Sequence, residues 1–240
     1  MRFFYVMHPF ILYIETSTEL CSVALSHGNN CFAVRENSEG RNHATMLTPF
    51  IDDLLNKSNV STHQLNAVAV SSGPGSYTGL RIGLSTAKGL CYGANIPLIS
   101  VSTLQAMSMG FVLQHNVPAS TLLCPMIDAR RMEVYTALFD RNGRQMKSIS
   151  AEIITEQTFV SWLDESQILF FGTGAAKCRK TITHPNAVFP EGFVHSACYM
   201  IQTALQAYND KKFEDIAYFE PFYLKDFIAG PKKRFNNSKI

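Results

Sequence analysis

The residues best placed to do chemistry sit where apolar runs end. Between Ser71 and Gly83 the chain reads Ser-Ser-Gly-Pro-Gly-Ser-Tyr-Thr-Gly-Leu-Arg-Ile-Gly, directly after the strand-like run Ala67-Val68-Ala69-Val70. A strand that ends in such a turn above a helix start can aim several backbone N–H groups at an anion, which makes Gly73 and Gly75 candidate phosphate contacts. Two common phosphate patterns are excluded. No Gly-Lys-Ser/Thr closes the loop, and Thr78 stands where the third glycine of a dinucleotide fingerprint belongs. Glu15 ends the first strand and is followed by Thr16, Ser17 and Thr18, with no glycine before Gly28. These hydroxyls either approach a phosphate with difficulty or cap the strand end. Asp128-Ala129-Arg130 ends a second strand, and its charges either hold a ligand across a cleft with Glu15 or form an ion pair between two halves of the molecule. The reading favours the ion pair. Gly172-Thr173-Gly174 ends a third strand, and a lone Gly-x-Gly is a weak signal.

Metal chemistry finds no support. The seven histidines, at 8, 27, 43, 63, 115, 184 and 195, include no pair four residues apart, the spacing that puts two imidazoles on one helix face. Ser76, Ser85 and Cys91 have no histidine nearby in sequence to activate them as nucleophiles.

These candidates require an α/β frame. Ile11–Ser17, Cys21–Ser26 and Cys31–Val34 read as three strands with a turn at Gly28-Asn29-Asn30. The pattern recurs in Leu122–Arg130, Glu133–Phe139 and a third short strand after Arg141-Asn142-Gly143. Each trio gives way to alternating helices and strands. The first half predicts helices at 43–58 (Asn42 as its cap), 80–90 and 102–115, with a strand at 97–100. The second half predicts helices at 156–163 and 196–208 around a strand at 168–171. This is one plan written twice, with units at 7–110 and 111–228 and a tail at 229–240. In the helix after the glycine turn, Gly79, Gly83 and Ala87 recur every fourth residue and form a face of small side chains. Each helical glycine costs about 1 kcal/mol relative to alanine, so close packing should compensate, either on another helix or on the chain's own sheet.

At 240 residues, 46% apolar and 17% charged, the chain has ordinary globular usage. A net charge of +2 argues against a dedicated polyanion partner, and Lys232-Lys233-Arg234 reads as a solvated tail. Six cysteines without a Cys-x-x-Cys pair suit reduced thiols in a cytoplasmic protein. His8 and Pro9 interrupt the apolar opening, and Met7 is offered as a start, with Met1 left open beside it. No run of about 20 apolar residues is present to span a membrane.

The string Gly-Pro-Gly-Ser-Tyr-Thr-Gly-Leu-Arg, with Glu15-Thr16-Ser17, Val101-Ser102-Thr103-Leu104 and Ile127–Tyr135, resembles the TsaB family of tRNA threonylcarbamoyladenosine biosynthesis proteins. That resemblance implies the glycoprotease-like branch of the actin-like (ASKHA) superfamily, two ribonuclease-H-like domains in tandem. It implies a non-catalytic partner of TsaD, working with the P-loop ATPase TsaE to place threonylcarbamoyl on the adenosine beside the anticodon of ANN-decoding tRNAs. It leaves tRNA contact, and any nucleotide, to the complex rather than to this chain. The catalytic relative's His-x-x-x-His falls on Thr103 and Met107, so neither a metal site nor peptidase activity is expected. First-domain helices of the family contact TsaD and pair with themselves in its absence. By that analogy Met46, Phe50, Leu54, Gly79, Gly83 and Ala87 are the expected association surface. The rival reading is a stand-alone ATPase or small-molecule kinase, which would use Glu15, Gly73, Gly75, Asp128, Gly172 and Gly174.

Overall fold

A computed structural model describes residues 8–38 and 42–225. The candidate start at Met7, the Lys232–Arg234 cluster and the tail at 229–240 lie outside these residues. Three strands open the chain: β1 (Phe10–Glu15), β2 (Cys21–His27) and β3 (Asn30–Asn37). α1 (His43–Lys57) leads to β4 (Ala67–Gly73), and α2 (Tyr77–Ala94) leads to β5 (Leu98–Ser102). The resulting sheet has the order β3-β2-β1-β4-β5, antiparallel on the hairpin side and parallel from β1 to β5. The central strands β1 and β4 are buried on both faces, which explains their unbroken apolar runs.

After α3 (Thr103–Gln114) the plan repeats with β6 (Leu122–Asp128), β7 (Glu133–Phe139), β8 (Gln145–Ile153), α4 (Val160–Glu165), β9 (Ile168–Phe171), α5 (Ala175–Cys178) and β10 (Ala187–Val188). The second sheet runs β10-β9-β6-β7-β8, so each strand has the neighbours of its first-half counterpart. A 3-10 turn at Ala197–Met200 and α6 (Ile201–Asn209) close the second half, as α3 closes the first.

The two closing helices are exchanged. Leu104, Met107 and Phe111 of α3 pack with Leu123, Ile127 and Phe139 of the second sheet. Ala197, Met200, Ile201 and Ala204 cover Ile11, Tyr13, Ala24 and Ile99 of the first. The strands of the first sheet end with β5 at Ser102, and those of the second begin with β6 at Leu122. The division into 7–110 and 111–228 nevertheless assigns the 197–209 segment to the sheet it does not cover.

Two local expectations need correction. The helix predicted from residue 156 begins only at Val160, because Thr158 Oγ1 accepts from Thr155 N and turns the chain ahead of it. Asn42 stands at the N-cap of α1 but makes no side-chain capping bond. Among the described residues no helix is long and apolar enough to cross a membrane.

Candidate functional site

The Gly-Pro-Gly turn lies where the sequence places it, between β4 and α2, but its interior is occupied. Ser17 O accepts from Ser76 N at 2.6 Å. Ser76 Oγ accepts from Gly79 N, capping α2. Thr16 Oγ1 donates to Gly79 O at 2.8 Å. A Cβ at Gly75 would strike the Ser17 carbonyl, and one at Gly79 the Thr16 carbonyl, both well under 3.0 Å. The glycines therefore admit the chain's own Thr16–Ser17 backbone to the space an anion would take.

A second segment closes the groove from outside. Phe222 N donates to Ser72 O at 2.7 Å, and the Phe222 carbonyl lies over Gly73. The Tyr223 ring lies tilted against Tyr77 with centroids 4.9 Å apart, the Arg81 guanidinium sits 4.2 Å above the Tyr77 ring, and Lys225 pairs with Glu133 of the second unit. The cavity left among Pro74, Gly75, Tyr135 and Phe222 measures about 30 Å³.

Glu15 is fully buried and held. Ser17 N donates to its Oε1 at 2.6 Å, and His195 Nε2 donates to its Oε2 at 2.8 Å. Burial by itself would raise this carboxyl. The facing His195 and the Ser17 N–H outweigh it and hold the group below its ordinary value. His195 went unnoticed in the sequence because a lone histidine ahead of a short helix has no pattern.

Asp128 does not make the ion pair expected between the two halves. Asp128 Oδ1 accepts instead from Lys177 Nζ at 2.6 Å and from Arg130 N at 2.7 Å, both within the second unit. Burial opposes ionisation of Asp128, while Lys177 and the Arg130 N–H hold the carboxyl low. Lys177 also donates to the carbonyls of Arg131 and Glu133, clamping the turn after β6.

Gly174 N donates to Met126 O, and Cβ atoms at Gly172 and Gly174 would run into Met126, Met107 and Val134. These glycines serve close packing on β6. Of the pair, Gly172 also lines a cavity of about 300 Å³ with Arg179, Phe189, Glu191 and Phe193. Asp128 lies beside this turn, since Thr173 Oγ1 accepts from Asp128 N at 3.2 Å, while Gly75 packs against Ser17 in the first unit. Thr103 and Met107 are buried. Among the described residues no three His, Cys, Asp or Glu side chains gather in a way that could hold a metal.

The association surface also changes. Gly79, Gly83 and Ala87 are buried, and a Cβ at Gly83 would hit Thr16 Oγ1 and lie 3.4 Å from Ile14. This face packs on the chain's own sheet, so the reading of it as a partner surface is overturned. Leu54 is likewise sealed in the core, whereas Met46 and Phe50 are half-buried beside it. On the outer side of α2, Ser85, Gly89, Tyr92 and Gly93 are exposed, and nothing lies within 4 Å of a Cβ built at either glycine. The backbone spacing of small residues did not reveal which face was which.

Residues 36–221 match the family model described as TsaD, tRNA N6-adenosine threonylcarbamoyltransferase. The chain is 33% identical to the tRNA threonylcarbamoyladenosine biosynthesis protein TsaB of Escherichia coli K12, over 92% of this chain and 97% of that protein. It is 31% identical to the TsaB of Haemophilus influenzae over 92% and 96%. The solved structure of YeaZ from Pseudomonas aeruginosa superimposes with a TM-score of 0.78 at 27% identity, covering 90% of this chain and all of the other.

Proposed function

This chain belongs to the TsaB family, and from that premise we propose that it is the non-catalytic partner of TsaD in tRNA threonylcarbamoyladenosine biosynthesis. The observation that carries the reading is the filled groove. Thr16–Ser17 occupies the Gly-Pro-Gly turn, Phe222–Tyr223 covers it, and Glu15 is committed to His195. A fold whose phosphate turns are packed with its own backbone is suited to presenting a surface. That surface is the outer side of α1 and α2: Met46, Phe50, Ser85, Gly89, Tyr92 and Gly93. Gly89 and Gly93 weaken α2 by about 1 kcal/mol each with no internal contact that needs them, and a closely approaching helix gives them a purpose. A stable pairing there buries on the order of 1,200–2,000 Å² in total. When TsaD is missing, the same face serves self-association.

In this scheme TsaD holds the reacting groups, TsaE supplies ATP hydrolysis, tRNA is met by the assembly, and the work takes place in the cytoplasm. The test is to co-express the chain with the TsaD of its own genome, add TsaE, ATP and threonylcarbamoyl adenylate, and measure modified adenosine in an ANN-decoding tRNA. Modification only when both proteins are present is the expected result. Micromolar ATP binding with phosphate release by the isolated chain would overturn it in favour of the stand-alone ATPase or kinase.

A further inference from the structure

Two thiols far apart in sequence meet at the edge of the first sheet. Ala24 pairs with Val34, and after a register shift beside Leu25 the next hairpin pair is Ser26 with Cys31. Residues directly opposite in an antiparallel pair share a face, and the shift returns Cys31 to the face of Ala24 and Val34. Ser26 marks that face by its 2.9 Å hydrogen bond to the Tyr13 hydroxyl. The cover over it is the 197–209 segment, where Cys198, like Val34, packs against the cluster of Ile11, Tyr13 and Ala24. There the Cys198 thiol donates to the Cys31 sulfur. Both sulfurs also act electrostatically on Tyr13, placing them at its hydroxyl end.

The two partners are unequal. Cys31 is exposed and Cys198 half-buried, whereas Cys21, Cys91, Cys124 and Cys178 are buried. The hydrogen bond from Cys198 lowers the Cys31 pKa against the opposing effects of burial and the Glu36 carboxylate. Cys31's own S–H reaches the Ala33 carbonyl only at 3.9 Å, a weak hold on its proton. Cys198, as donor, is held protonated. Cys31, the exposed thiol, is the one a dissolved oxidant reaches first, which makes it the attacking group and Cys198 the resolving one.

We propose that Cys31 and Cys198 form a peroxide-responsive pair, which oxidation joins in a disulfide fastening β3 to the segment that roofs the first sheet. The Cys31 thiolate attacks one oxygen of hydrogen peroxide, the O–O bond breaks, and the departing hydroxide takes a proton to become water. The sulfenic acid formed on Cys31 is then attacked by Cys198, which gives up its proton, and the second oxygen leaves as water. Two thiols and one peroxide yield one disulfide and two waters. A thiol reductant reverses the bond.

The experiment treats the full-length reduced protein with a modest molar excess of hydrogen peroxide, blocks remaining thiols and maps peptides by mass spectrometry without reduction. Loss of two of the six thiols, recovery of a Cys31–Cys198 linked peptide and a higher Tm are expected. In Cys198→Ser, Cys31 should be trapped as sulfenic acid by dimedone. Both serine variants should fold, since Cys31 is exposed and Cys198 only half-buried, and serine nearly matches cysteine in size. Irreversible oxidation of Cys31 without a linked peptide, Cys31–Cys31 dimers in the wild type, or six intact thiols would each overturn the proposal.

Discussion

Two glycines of α2 should respond to the same substitution with opposite signs. At Gly83 an alanine Cβ would collide with Thr16 Oγ1 and rest 3.4 Å from Ile14. Thr16 must then swing away, losing its 2.8 Å bond to Gly79 O. The lost bond costs about 1 kcal/mol, and overpacking adds roughly 1–3 kcal/mol. The better helix propensity of alanine returns about 1 kcal/mol. The balance for Gly83→Ala is a loss of about 1–3 kcal/mol. At Gly89 there is nothing within 4 Å to meet, so the propensity term acts alone and Gly89→Ala should gain up to ~1 kcal/mol. In a chain of 240 residues the two variants should differ in Tm by roughly 10 °C. Urea titrations followed by circular dichroism, with thermal melts alongside, measure both. A Gly83→Ala protein at least as stable as the parent, or a destabilised Gly89→Ala, would mean that the inner and outer faces of α2 are reversed.

Four further outcomes are expected. His195→Ala leaves Glu15 as a buried carboxylate without its partner and should cost about 3–5 kcal/mol in urea unfolding. Because the folded Glu15 carboxyl lies below its ordinary value, its contribution is fully present above that ordinary value and is lost as pH falls through the folded one; Glu15→Gln should flatten this part of the acid limb, and an unchanged limb would contradict the pairing. Gly89→Arg should lower retention of TsaD in pull-down at least tenfold (about 1.4 kcal/mol) without lowering the Tm, and unchanged retention would move the contact off this face. Lys177→Met removes the clamp on Asp128 and on the Arg131 and Glu133 carbonyls. Limited proteolysis should then cut near residues 129–132 faster than in the parent.

The frame was readable from the sequence because its central strands are buried on both faces, so β1, β4 and β6 appear as unbroken apolar runs. The doubled plan was readable because its hairpins repeat their turn residues. The side on which α2 packs was not, since a stripe of glycine and alanine fits a sheet as well as a helix. Asp128 was recognised as a strand-end carboxylate, but its partner Lys177 comes from the four-residue helix α5, too short to show a period. The Phe222–Tyr223 cover has no periodicity either, and its meaning lies wholly in long-range contacts with Ser72 and Tyr77.

The exchange of closing helices bears on how the protein is made. The first sheet is complete in sequence once β5 has left the ribosome, yet most of the cover over Ile11, Tyr13, Ala24 and Ile99 comes from 197–209, with Ala106 of α3 beside it. At ordinary translation speeds that interval is on the order of ten seconds. Throughout it an apolar sheet face stands open on the nascent chain, a natural substrate for a chaperone that shields such surfaces during synthesis.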